Sequence, residues 1–288
     1  GSLDAVNFKS PAGRYFREKI QAPFFAFYLK DKGTLTVGEA TVFESGANVW
    51  RTYTNWPAKE ATTKSLYLQP DHKLSFDAPK GGADFTSYVS DPAHPVPYRA
   101  RPIQPTYCSC GSAWYTWLAA DQRFVDGRPD VASWTTDPLT SDVVIAGNVV
   151  AKLQASTTGS DADWVVKLID VYPDHVPGDV KMGGYQLMVS SDIMRGRYRQ
   201  SFERAVAIAP NAVLAYTVDL HQQAYRFLKG HRIMVEVQST WFPLYDRNPQ
   251  TFVPNIFHAK PGDFVAATQR IYHSAQFASR VDVDVIAK

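Results

Sequence analysis

No stretch of the 288-residue sequence approaches the roughly 18 consecutive apolar residues of a membrane-spanning helix. Nor does a charged n-region lead into an apolar h-region at the N-terminus. Gly1-Ser2 has the form of a tag-removal scar, so this second absence leaves the compartment open. Charge of either sign is scarcely in excess. The formal net charge is +2, and no block of basic residues offers a docking stripe to nucleic acid or an anionic membrane. The two cysteines, Cys108 and Cys110, are too few for a disulfide framework and too close for an unstrained bridge, and read as ordinary thiols. Catalytic signatures are missing too: there is no G-x-S-x-G elbow, H-E-x-x-H, Walker loop or G-x-G-x-x-G, and Ser109 and Ser160 sit in turn-like contexts. The seven histidines are dispersed without ligand-like spacing, so no metal and no cofactor is assigned.

What is present is strand pattern and aromatic mass. Val149, Ala151, Leu153 and Ala155 alternate with Val150, Lys152, Gln154 and Ser156, the period of a strand with one buried face. Thr158-Gly-Ser-Asp161 has turn chemistry, and Trp164–Tyr172 reads as the returning strand, which predicts an antiparallel pair within one sheet. Tyr216, Val218 and Leu220, then Ile233, Val235 and Val237, then Val281, Val283 and Val285 give further strand faces, with shorter candidates at 39–43 and 64–68. Lys181–Arg199 is ambiguous, and the Pro-rich stretch 81–105 is expected to cross the surface rather than add a central strand. At the N-terminus, Ser10-Pro11 resembles a helix start. Phe16, Ile20, Phe24 and Phe27 form an aromatic stripe, with a kink or restart at Pro23 and an end at Lys30-Asp-Lys-Gly33. No βαβ periodicity appears, so the bulk reads as mainly β, an antiparallel jelly-roll sandwich.

Asp161 and Asp163, with Asp137, have the hard oxygens a calcium ion takes, although an Asx turn explains the first two better. Aromatic residues make up 13% of the chain, with 7 Trp. Tyr98, Tyr107, Trp114, Tyr115 and Trp117 crowd one loop-rich segment, and Trp241-Phe-Pro-Leu-Tyr245 interrupts a strand. Loop aromatics line apolar pockets or stack on sugars, and they also fill cores.

Four ordered strings carry a resemblance: Tyr88-Val-Ser-Asp-Pro-Ala-His-Pro-Val-Pro97, Asp121-Gln-Arg-Phe-Val-Asp-Gly-Arg-Pro-Asp130, the run from Ser160 to Pro173, and Phe242-Pro-Leu-Tyr-Asp-Arg-Asn-Pro-Gln-Thr251. Together they resemble the α-amino-acid ester hydrolases and glutaryl-cephalosporin acylases of the cocaine-esterase and X-Pro dipeptidyl-peptidase superfamily. The resemblance implies that residues 1–33 are the last helical segment of an α/β-hydrolase domain. It makes residues 34–288 a C-terminal jelly roll of the galactose-binding-like kind. The nucleophile, acid and histidine would lie upstream, with the acidic cluster that holds a substrate ammonium. The chain would then be inactive alone, its partner being the missing hydrolase domain of a periplasmic or secreted parent acting on a small amino-acid ester or amide; a homo-oligomer is left open. By the same resemblance Tyr107, Trp114, Tyr115 and Trp117 would help wall the acyl pocket, although Cys108-Ser-Cys-Gly111 departs from the family pattern there. Asp246 and Arg247 are expected to brace their loop. The competing reading is an autonomous carbohydrate-binding jelly roll.

Overall fold

The computed structural model describes every residue except 36, 83, 104, 110 and 288, and only the backbone of Cys108. Cys110 and the Cys108 side chain therefore lie outside the described residues. The main strands are β1 (Ala61–Leu68), β2 (Phe85–Ser90), β3 (Val131–Thr135), β4 (Val143–Thr157), β5 (Asp163–Val171), β6 (Gln186–Arg195), β7 (Leu214–Phe227), β8 (Arg232–Gln238), β9 (Ala267–Tyr272) and β10 (Arg280–Ile286). All pair antiparallel. A seven-stranded sheet runs from Leu74–Ser75 through β1, β10, β4 and β9 to β2, with β7 also on β4; a four-stranded sheet has the order β3, β8, β5, β6. The sandwich expectation holds, and the ambiguous 181–199 region supplies β6 after one short 3₁₀ turn.

The expected central pair is corrected. Both strands exist, but β4 pairs with β7, β9 and β10, whereas β5 pairs with β6 and β8 in the opposite sheet. Residues 158–162 carry the chain across the sandwich instead of reversing it. The backbone N–H groups of Ser160 and Asp161 are tied to the Gln250 carbonyl, and a Cβ on Gly159 would come within 2.4 Å of that oxygen. The crossing thus requires a residue without a side chain.

The apolar faces of the two sheets meet in one core. Ile145, Val149, Ala151 and Leu153 of β4 pack with Trp164, Val166 and Leu168 of β5, Val235 and Val237 of β8, and Val281 and Val283 of β10. Burial of each such side chain contributes about 1.5–3 kcal/mol. The four-stranded sheet is covered on its other face as well. Val165, Lys167, Ile169, Glu236 and Gln238 point away from the core yet are fully buried. Their cover includes Gln122 and Trp241, both buried and in contact with Lys167. It is pinned by Phe242 N–H donating to the Val96 carbonyl and Tyr98 N–H to the Phe242 carbonyl. The stretch 81–105 therefore does more than cross the surface: it also supplies β2 as an edge strand on β9.

The N-terminal helix spans 12–30, with a π-helical middle at Phe16–Gln21 between α-helical Ala12–Tyr15 and Ala22–Lys30. Pro23 falls at the second position of the last piece, directly after the π-helical segment, and the helix continues through it. The helix starts one residue later than expected, with Pro11 at the cap position, and Asp31 takes the left-handed closing conformation (φ 51°) two residues before Gly33, which is left-handed as well (φ 78°). No residue of the helix is buried. Tyr15 ties it to the rest by stacking on Trp50 at 4.9 Å. Among the described residues, no helix is long and apolar enough to cross a membrane.

Candidate functional site

Two aromatic groups far apart in sequence meet over the outer face of the four-stranded sheet. Trp114 opens a short helix (Trp114–Leu118) and stacks on Trp117, with centroids 6.1 Å apart. Trp117 meets Tyr98 edge-on at 5.8 Å, Tyr98 meets Trp241 at 5.2 Å, and Trp241 meets Tyr245 at 6.1 Å. The row runs from a buried end at Trp241 to an exposed one, where Trp114 keeps 47% of its surface in solvent. Tyr115 is exposed beside it. Tyr107, on a two-residue strand facing Gly111–Ser112, is 73% exposed and makes no ring contact among the described residues.

Cations lie under this row. Lys167 Nζ sits 4.9 Å from the Trp241 ring and bonds Glu236 Oε1 at 2.7 Å and Gln122 Oε1 at 3.2 Å. Burial pushes the Lys167 ammonium down and the Glu236 carboxyl up, and their contact opposes both shifts. Arg99 stacks over Tyr98 at 4.1 Å and Trp117 at 5.0 Å. Sequence reasoning missed Arg99, Lys167 and Glu236. The signal for the last two was a charge flanked by apolar residues in the middle of each strand, which reads equally well as a solvent-facing position.

The acidic residues considered for calcium are each held by a cation instead. Asp161 bonds Arg197 at 2.7 Å, Asp163 bonds Arg195 at 3.2 Å, and exposed Asp137 bonds Lys73 at 2.9 Å. Asp161 also accepts the N–H of its neighbour Ala162, one residue on rather than the two of an Asx turn. No metal-holding cluster occurs among the described residues. Arg247 donates from Nη1 to the Pro92 carbonyl at 2.8 Å and lies over the Phe242 and Phe264 rings, while Asp246 is exposed. Imidazoles pair with carboxylates at His231–Asp170 and His221–Asp192, both 2.9 Å. His273 meets a hydroxyl, Thr86 Oγ1 at 3.1 Å, but its Nδ1 makes no hydrogen bond and lies 3.9 Å from Asp84.

Comparison with known proteins places this geometry. Residues 26–282 match the family described as the X-Pro dipeptidyl-peptidase C-terminal non-catalytic domain. An aminopeptidase from the marine sediment archaeon Thaumarchaeota archaeon is 50% identical, with a TM-score of 0.95, over 99% of this chain and 47% of its own. An α-amino acid ester hydrolase is 49% identical, with a TM-score of 0.93 and the same coverage. The cocaine esterase of Rhodococcus sp. (strain MB1 Bresler) is 29% identical over 92% of this chain and 45% of its own length. The chain thus spans about half the length of the relatives it matches. By the extent of the family match and the agreement of fold, this chain belongs to the X-Pro dipeptidyl-peptidase C-terminal non-catalytic domain family, as found in cocaine-esterase-like hydrolases.

Proposed function

We propose that the chain is the accessory domain of a serine hydrolase, packed on its catalytic domain and lending an aromatic wall to the acyl pocket. The observation that carries this is the Trp114–Trp117–Tyr98–Trp241 row: anchored at one end in a buried layer and open at the other, it holds exposed rings on a rigid back. Trp114, Tyr115, Trp117 and Tyr107 are assigned to the wall. Residues 1–33 are assigned to the catalytic domain, whose surface would cover Phe24, Phe25 and Phe27, each more than a third exposed here. The names of the similar proteins share cleavage next to an acyl carbon, which supports a small amino-acid ester or amide as the parent's substrate.

Trp114→Ala in the full-length parent should raise KM for an amino-acid ester by about tenfold through lost apolar contact while leaving Tm unchanged. An unchanged KM would remove Trp114 from the wall. The 288-residue chain alone should not turn over an activated ester, and turnover blocked by a serine-directed inhibitor would overturn the accessory reading. The same exposed rings also suit sugar stacking, so saturable glycan binding by this chain would favour a carbohydrate-binding module instead.

A further inference from the structure

Among the described residues, the buried arginines and lysines other than Arg99 each have a carboxylate within ion-pair distance: Lys167 has Glu236 and Arg197 has Asp161, and the half-buried Arg226 likewise has Glu44 and Asp142. Arg99 is 7% exposed and has no carboxylate at ion-pair distance among the described residues. Among the described residues its guanidinium makes one hydrogen bond, Nη2 to the Tyr98 hydroxyl at 2.8 Å, and its buried Nε–H has no acceptor. Lys167, close enough for the two cations to disfavour each other's charge, adds to the excess. A buried unpaired cation is costly, and two ring contacts offset only part of that.

We propose that Arg99, walled by Tyr98 and Trp117, anchors a binding site for a small carboxylate that carries an aromatic or apolar body. The charge is matched by a single negative group. A guanidinium with unused N–H donors in its fork accepts a carboxylate in bidentate fashion, whereas a phosphate dianion would need further donors that the cage lacks. The body of the ligand has a surface to lie on, since Trp114 continues the stack beyond Trp117 and leaves its ring half in solvent. Burial already holds the Arg99 pKa below its usual value, and an arriving anion would relieve that penalty. The site lies wholly within this chain and stands whether or not the rings also wall an acyl pocket.

The test is a titration of the 288-residue chain with phenylacetate and with its neutral isostere phenylacetamide, read by tryptophan fluorescence. A second reading is the Arg99 Nε–Hε resonance in an NMR spectrum. Phenylacetate should bind saturably and shift that resonance. Phenylacetamide, and phenylacetate on a folded Arg99→Gln variant, should each bind at least about tenfold more weakly, as loss of a charge-assisted pair requires. Equal binding of acid and amide, or binding retained by Arg99→Gln, would overturn the site. So would an Arg99 resonance that does not move in the unmodified chain, a reading that holds even if the variant fails to fold. If no small carboxylate binds but the resonance moves on joining this chain to a hydrolase domain, the anion is an acidic side chain of that domain and the small-molecule site is refuted.

Discussion

Lys167 and Glu236 stand directly opposite each other on neighbouring strands, both fully buried, with Nζ and Oε1 2.7 Å apart on the side of the sheet that faces away from the core. Removing one partner leaves the other charged and dry. Lys167→Met should therefore destabilise the chain by about 3–5 kcal/mol, whereas Lys167→Met with Glu236→Leu should fall within about 1 kcal/mol of the parent. Urea denaturation of the three proteins checks this. Equal losses in the single and double variants would mean that the pair's charge is not what matters.

Asp163 predicts a pH dependence. Burial pushes its carboxyl up to about 7 from 3.8, against the opposing pull of Arg195 and Asn248. The folded state therefore binds this proton more tightly than the unfolded chain does. The resulting stabilisation is complete below about pH 4 and is lost as pH rises through about 7. Asp163→Asn removes the ionisation and should flatten the stability profile across that window relative to the parent. A variant with the parent's slope between those values would assign the proton elsewhere.

Arg247 is predicted to brace its loop and not to touch substrate. Its bond to the Pro92 carbonyl joins the 242–250 loop to the segment leading into the outer layer. Arg247→Ala should cost about 1–3 kcal/mol, seen as a lower Tm of this chain. In a full-length parent, KM should stay unchanged. A raised KM with unaltered Tm would show that the guanidinium meets substrate.

The N-terminal helix carries Phe16, Phe24, Phe25 and Phe27 between 38% and 48% exposed, with Leu29 at 72%. Such a surface seldom stays wet, and the stripe does not lie down on the sandwich. At raised concentration the chain should self-associate through this face, and Phe24→Lys should shift sedimentation toward monomer. A parent chain that remains monomeric at all concentrations would show that the face needs no cover.

The faces of the strands were legible in the sequence because alternation reports which side of a strand is wet. The partner of a strand is not written in that alternation. Trp164–Tyr172 after a turn has the form of a hairpin arm whether the chain reverses or crosses, and only the clamp of residues 158–162 on Gln250 decides between them. The site was half legible. Tyr98, Trp114, Trp117 and Trp241 could be picked out as loop aromatics, but their assembly into one row depends on the parallel bridge between Pro97 and Phe242, a contact across more than a hundred residues. Arg99 left no pattern, since one arginine after a tyrosine is indistinguishable from a surface pair until its burial is known.

The crossing at 158–162 also bears on how the molecule opens. β4 is hydrogen-bonded along both edges in one sheet and β5 along both edges in the other, and the two are continuous through a tether with no slack. Neither sheet can peel away without dragging the middle strand of its counterpart out of register. Amides at the centre of both sheets should therefore exchange with solvent through the same global event, at one common rate of release, while β2 and the N-terminal helix exchange earlier and independently.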